Sequence, residues 1–209
     1  MKKATIFSQD NLDKIINAFS QGKVVCIPTD TVYAMSCDAT NIDAIKKIYQ
    51  IKERALNKTL PIFVADIQMA KAYVKFSSKE LKLIENFWPG ALTLVSKVLD
   101  NNQKIPNILI NKDKIAVRTP DHKLIQTICK SINKPIIATS ANISSQSSVN
   151  STEDIIKIFL NKVDYIVQDS ALCKSNDLTP STIVEFISED KFRLIREGKI
   201  SKSELDNRI

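Results

Sequence analysis

Val24-Val25-Cys26-Ile27 is an apolar run of strand length, and it stops at Pro28. Pro28 fixes φ and has no backbone donor, so a hydrogen-bond ladder ends there. Thr29, Asp30, Thr31 and Tyr33 follow, presenting two hydroxyls, a carboxylate and a phenol. Open α/β sheets hold their ligands at such places, just beyond the C-terminal ends of buried strands. The same residues also fit a turn that satisfies its own backbone through Asx and Ser/Thr bonds.

Gly22, Gly90 and Gly198 are the only glycines in 209 residues. A G-x-G-x-x-G fingerprint and a P-loop are both excluded, so any phosphate must be held by side chains and helix N-termini. Cys26, Cys37, Cys129 and Cys173 show no C-x-x-C spacing, and His122 is the sole histidine. This inventory gives poor support to a zinc site, a Ser-His-Asp triad or a Cys-His pair. Scattered thiols, no apolar stretch after Met1-Lys2-Lys3 and no run of membrane-spanning length predict a cytoplasmic, soluble protein. A net charge of +7 favours anionic partners such as nucleotides or nucleic acid, although a Lys-rich surface alone would give the same value.

Periodicity predicts helices over 8–21 (capped by Ser8 and ended by Gly22), 41–52, 66–75, 78–87, 121–132 and 153–161. Ser77 to Glu80 is a capping-box pattern. Strands are expected at 24–27, 60–64, 91–98, 115–118, 135–138, 165–168, 181–187 and 192–195. Pro61 places the second of these at an edge or at a strand start. Residues 100–114 read as polar connection with one apolar patch, Ile108–Ile110. Residues 139–152 hold eight hydroxyls and almost no apolar mass. Helices alternate with strands early and strands pair directly late, which predicts a single-domain α/β fold with a mixed twisted sheet. Residues 1–200 would form the domain and 201–209 a short polar tail.

The polar residues gather at element ends: Thr29/Asp30/Thr31, Lys52/Arg54/Lys58, Arg118, Ser140/Asn142, and Ser181 with Arg196. Cations beside hydroxyl-rich turns suit a polyphosphate: Arg binds its oxygens bidentately and Lys supplies a compact charge. No carboxylate pair stands out for acid–base work, so chemistry here would rest on positioning and charge neutralisation. Lys52 and Arg54 also fit as charges complementing a helix C-terminus, and the serines after 139 also fit a flexible loop. A buried Arg118 would have to be paired.

Pro28-Thr-Asp-Thr-Val-Tyr33, Lys52-x-Arg54, Phe87-Trp-Pro-Gly-Ala-Leu-Thr-Leu94, Ala116-Val-Arg118-x-Pro120, Ser140-Ala-Asn142-x-Ser144, Ser181-Thr-Ile-Val184 and Arg196-x-Gly198 occur in this order. Together they resemble the YrdC-type threonylcarbamoyl-AMP synthases over residues 10 to 200. The resemblance implies an α/β twist fold around an open, positively charged cavity. It also implies a nucleotidyl transfer in which L-threonine, bicarbonate and ATP give L-threonylcarbamoyladenylate and pyrophosphate, with Mg2+ on the triphosphate. A downstream transferase would pass the threonylcarbamoyl group to tRNA. Carried over by motif, Lys52 and Arg54 are the catalytic candidates, Thr31, Arg118, Ala138 and Ser181 are threonine contacts, and Lys52, Arg54, Ser140, Asn142, Ser148 and Arg196 are ATP contacts. No protein metal ligands are implied. Ala34, Ala55, Thr59, Phe63 and Ser145 depart from the family pattern, which bears on the rigidity of two cavity loops.

A different class, a non-catalytic RNA-binding module using the same basic cavity, fits the charge as well. The two separate by salt and sequence dependence. Weak tRNA binding with little sequence preference, lost steeply as salt is added, is the expectation for the synthase, because counterion release dominates such contacts. A filter-binding titration across salt concentrations checks it; tight, salt-resistant, tRNA-selective binding would favour the RNA module.

Overall fold

In the computed structural model, which describes residues 3–143, 151–168, 179–188 and 191–209, the chain opens with a strand that its short, polar-flanked sequence does not announce. This is β1 (Thr5–Ser8), lying parallel to β10 (Tyr165–Gln168). That ladder takes up Ser8, so the first helix begins later than expected. It is α1 (Leu12–Ser20), with Asn11 and not Ser8 in the N-cap position. Gly22, at φ +66°, closes the helix in the left-handed region as the sequence predicts.

The run at 24–27 becomes β2 (Val25–Ile27), and β3 (Ala34–Ser36) returns antiparallel to it. Next comes α2 (Ile42–Ile51), whose Asn41 cap accepts from the amides of Asp43 and Ala44. The expected strand at 60–64 is the two-residue β4 (Ile62–Phe63), with Pro61 just before its start. The expected helix at 66–75 is split. Only α3 (Ile67–Lys71) is helical, while β5 (Val74–Lys75) pairs with the end of β6 (Leu92–Val98). Ladder pairing at a sheet edge there overrides local helical periodicity. The capping box forms as read: Ser77 accepts from the Glu80 amide, Glu80 accepts from the Ser77 amide, and α4 (Ser78–Phe87) follows.

The remaining elements match their expected positions within a residue or two. They are β7 (Lys114–Arg118), α5 (Lys123–Ile132), β8 (Ile136–Ile137), α6 (Thr152–Phe159), β11 (Thr182–Phe186) and β12 (Phe192–Arg196). A short β9 (Thr139–Ser140) lies where a polar connection was expected, and a 3-10 turn covers Asn107–Leu109.

Two mixed sheets result, where one was expected. The first runs β1-β10-β2-β3-β9, the second β12-β11-β6-β7-β4-β8, with β5 on β6. Both faces of the first sheet are covered. Val25 and Ile27 pack with α1 and α5, while Cys26 and Met35 pack with α2 and α6. This explains why residues 24–27 are continuously apolar and not alternating. In the second sheet Leu92, Leu94 and Val184 face α4. Free thiols at Cys26, Cys37 and Cys129 are all fully buried.

Residues 201–209 do not form the expected polar tail. They carry α7 (Lys202–Asp206), opened by a second capping box between Ser201 and Glu204. Leu205 is fully buried against Leu83, Leu92 and Val184. One leucine among polar residues is too little periodicity to announce a helix, yet it is enough to anchor one. Leu205→Ala should therefore cost about 2–5 kcal/mol, as buried leucine truncations do. Chemical denaturation checks this, and an unchanged midpoint would return the segment to a loose tail.

Candidate active site

The chain crosses from one sheet to the other between β8 and β9, and a cavity of about 420 Å³ opens beside that crossing. Its lining draws on both sheets: Thr29, Thr31 and Ala34 from the first, and Thr93, Ala116, Arg118, Ser181 and Ile183 from the second. Thr93 alternates with the inward Leu92 and Leu94, so the uncovered face of β6 lines the cavity.

The Thr-Asp-Thr turn is partly self-satisfied, as its simpler reading holds. The Thr29 hydroxyl donates to Val32 O at 2.7 Å and accepts from the Thr31 amide at 3.1 Å. The turn also holds Arg118, the largest of the fully buried side chains among the described residues. Its Nε donates to Gly90 O at 2.7 Å, Nη1 to Thr31 Oγ1 at 3.1 Å, and Nη2 to Asp30 Oδ2 at 2.6 Å. The guanidinium also stands 5.3 Å from the centre of the Phe63 ring. Burial lowers the Arg118 pKa, and the Asp30 carboxylate works against that shift. Asp30 Oδ2 accepts a second bond from the Asp121 amide, while Asp30 Oδ1 is buried without a donor.

Lys52, at the C-cap of α2, is 2% exposed. Its ammonium donates to Ser140 O at 2.5 Å, Asn142 O at 2.6 Å and Asn142 Oδ1 at 3.1 Å. Ser140 Oγ also donates to Asn142 Oδ1 at 2.6 Å. Burial pushes the Lys52 pKa down to about 8, helped by the charge of Arg54 and opposed by Cys26. Lys52 is not among the residues that line the cavity. Arg54 does line it. Its Nε donates to Lys58 O at 2.9 Å and Nη2 to Thr59 O at 3.1 Å, bracing the 53–59 loop. Tyr49 donates to the same Lys58 carbonyl.

At the opposite wall, Arg196 Nε and Nη2 both donate to Ser181 O, at 3.0 and 2.8 Å, and Ser181 Oγ lies 2.9 Å from Thr93 Oγ1. Gly198 permits this arrangement: a Cβ there would lie 2.2 Å from Pro180 O and 2.6 Å from Ser181 C. Burial lowers the Arg196 pKa, and the Arg118 charge lowers it further. The two guanidiniums therefore feel each other. Arg54, Lys58, Arg118 and Arg196 line the cavity, and none of its described lining residues is a carboxylate.

Of the residues singled out in the sequence, Thr31, Arg54, Arg118, Ala138, Ser140, Ser181 and Arg196 line this one cavity. Asn142 joins it through Ser140. Ser148 lies outside the described residues. Thr93, Asn111 and the Gly90 carbonyl were not foreseen as site members. Strand alternation could have given Thr93; nothing local marks Asn111.

Residues 17–198 match the Sua5/YciO/YrdC family, described as telomere recombination. A Methanocaldococcus jannaschii protein provisionally named threonylcarbamoyl-AMP synthase is 41% identical over 179 residues, covering 86% of this chain and 81% of the relative. The threonylcarbamoyl-AMP synthase of Vibrio parahaemolyticus is 33% identical over 150 residues, 70% of this chain and 80% of that protein. Among solved structures, P. abyssi Sua5 complexed with L-threonine superposes with a TM-score of 0.88 at 26% identity over 99% of this chain. The chain spans 61% of that longer protein. On residues 17–198 and on these relatives, the chain belongs to the Sua5/YciO/YrdC family.

Proposed function

We propose that the protein is a threonylcarbamoyl-AMP synthase, forming L-threonylcarbamoyladenylate and pyrophosphate from L-threonine, bicarbonate and ATP. The observation that carries this reading is the single cavity that gathers Thr31, Arg118, Ala138 and Ser181 with Arg54, Ser140 and Arg196. Its volume of about 420 Å³ lies in the range of small-molecule sites. The relatives named above carry the same activity in their names.

The chemistry asks for two placements. The threonine nitrogen must meet the carbon of bicarbonate-derived CO2, and the resulting carbamate oxygen must face the α-phosphorus of ATP in line with the leaving pyrophosphate. Neither placement needs a protein nucleophile; both gain from fixed orientation and from donors aimed at developing negative charge. Arg118 and Thr31 would hold the amino acid, with Ala138 and Ser181 bounding it. Arg54 and Arg196, with Ser140 and Asn142, would hold the phosphates and neutralise the charge that builds on pyrophosphate. Lys52 would act through the 140–142 turn, whose two carbonyls and one amide oxygen it secures. Magnesium would come with the nucleotide. Among the described residues no group of His, Cys, Asp or Glu could hold a metal ion by itself, so the triphosphate would be its main ligand. A downstream transferase would consume the adenylate, and tRNA contact with this protein would be weak. No helix among the described residues is long and apolar enough to cross a membrane.

Purified protein with ATP, magnesium, threonine and bicarbonate should release pyrophosphate and form the adenylate, seen by coupled assay and mass spectrometry. Omission of threonine or bicarbonate should abolish release, and conversion of ATP to ADP and phosphate would sink the assignment.

Lys52 and Arg54 should part company when mutated. As a phosphate ligand Arg54 contributes charge-assisted bonds of about 1.5–3 kcal/mol, so Arg54→Ala should slow turnover roughly ten- to a hundred-fold. Lys52→Met should lower stability as well, by about 1–3 kcal/mol, because it strands buried acceptors at Ser140 and Asn142. The Lys52 pKa near 8 when folded, against 10.5 ordinarily, adds a pH signature. Between those values the unfolded chain binds the extra proton, so wild-type stability relative to Lys52→Met should rise with pH across that window. Denaturation at several pH values alongside pyrophosphate release checks both residues. A Lys52→Met variant of unchanged stability at every pH would return Lys52 to the role of a surface cation.

A further inference from the structure

The cavity's cations fall into two kinds. Arg118 carries its own counter-charge: Asp30 Oδ2 lies 2.6 Å from Nη2, and the pair is held from both sides by Thr31 Oγ1, Gly90 O and the Asp121 amide. Their side chains are 2% and 13% exposed. Arg54, Lys58 and Arg196 have no carboxylate partner among the described residues; the two arginines bond only to main-chain carbonyls and the Ser181 hydroxyl. One cation of the cavity lining is thus charge-compensated and the other three are not. The Lys199 ammonium sits 3.2 Å from the Asp30 main-chain oxygen and is exposed, so solvent screens it.

A compensated Arg/Asp pair and a bare pair of guanidiniums select different ligands. An inorganic phosphate or a polyphosphate gains most where positive charge is unopposed. Beside Asp30 it would meet a fixed carboxylate within a few ångströms of its own charge. A zwitterion such as an amino acid has no net charge to be repelled, and its carboxylate can still take the outward N–H groups of Arg118. Without Asp30 the Arg118 guanidinium would stand uncompensated in the same cavity as Arg196, and both could then take an anion.

Asp30 offsets the desolvation of Arg118 but carries a cost of its own. Its Oδ1 is buried without a donor, and an unsatisfied buried acceptor is destabilising. The carboxylate is not needed for its two hydrogen bonds, since an asparagine side-chain oxygen could accept both from Arg118 Nη2 and the Asp121 amide. What asparagine could not supply is the negative charge.

We propose that Asp30 is a specificity-determining residue whose charge reserves the Arg118 end of the cavity for the zwitterionic amino acid and keeps phosphate and pyrophosphate out of it. The inference rests on the synthase reading and refines it: the two substrates are sorted by net charge before any contact specific to threonine is made.

The test uses inorganic phosphate as probe, with pyrophosphate release followed by coupled assay of the radiolabelled product. In the wild-type protein phosphate should inhibit competitively against ATP and not against threonine. In Asp30→Asn phosphate should become competitive against threonine as well, with its inhibition constant there falling about tenfold or more, and the thermal midpoint should drop as the buried Arg118 loses its counter-charge. Phosphate competing with threonine in the wild type would overturn the proposal, and so would an Asp30→Asn variant whose inhibition pattern matches the wild type. The wild-type arm can overturn the proposal even if Asp30→Asn does not fold, and Asp30→Glu, which keeps the charge, should keep the wild-type inhibition pattern. Absence of threonine-dependent turnover in the wild type would instead remove the synthase reading, which distinguishes the two failures.

Discussion

Between Ile136 and Asn142 the main chain changes sheets while bonding to both, and the cavity opens beside that crossing. Ile137 N donates to Cys37 O, just after β3, and Ala138 N to Pro61 O, just before β4, so two successive amides reach partners beside different sheets. Thr139 and Ser140 then pair with Met35 and Ala34 in the first sheet, and Ala141 N donates to Tyr33 O. The carbonyls of Ser140 and Asn142 fall beyond any ladder, and the Lys52 ammonium takes both. Buried backbone groups must be paired, and here a side chain from α2 completes what two sheets cannot. Thr31, Arg118 and Ser140 face one space because this short segment is fixed to both sheets at once.

The protein buries two cations by different means. Arg118 has a carboxylate, a hydroxyl, a carbonyl and an aromatic face around it. Lys52 has only neutral oxygens. Desolvating a charge costs several kcal/mol, and either a counter-ion or a full set of hydrogen bonds can offset that cost. The distinction matters for function. A cation bonded only to carbonyls keeps its field, and that field adds to those of Arg54 and Arg196. A cation paired with Asp30 has much of its field cancelled. The scarcity of glycine fits this plan, since phosphates that lack a glycine-rich cradle must be met by side chains held rigidly from behind.

Much of this was legible in the sequence, and the reasons for the gaps are physical. The helices α2, α4 and α5 announced themselves by apolar spacing, and α4 by its cap as well, with Ser77 and Glu80 forming the expected reciprocal pair. Strand β5 was hidden because Val74 and Lys75 continue a helical pattern and become a strand only through pairing with Val98 and Lys97. Helix α7 was hidden because one buried leucine gives no periodicity. In the site, the motif residues were visible but their burial was not. Lys52 and Arg54 lie two positions apart in the same motif, yet one is sealed under the 140–142 turn and the other lines the cavity. Sequence spacing at a helix end does not say which way a side chain turns. Nor does it show that Asp30, in a turn that could satisfy itself, would be spent on Arg118, 88 positions away.

The buried thiols have a consequence of their own. Cys26 in β2 and Cys129 in α5 are pushed up to about 12 by burial, and Cys37 well above its ordinary value. At neutral pH almost none of these sulfurs is thiolate, and thiolate is the form that reacts. They sit on both faces of the first sheet, Cys26 and Cys37 in one packed cluster and Cys129 in the other. An alkylating reagent can reach them only when the structure opens. Their labelling rates therefore report how often each half of the core comes apart, giving the protein a gauge of its own breathing without any introduced probe.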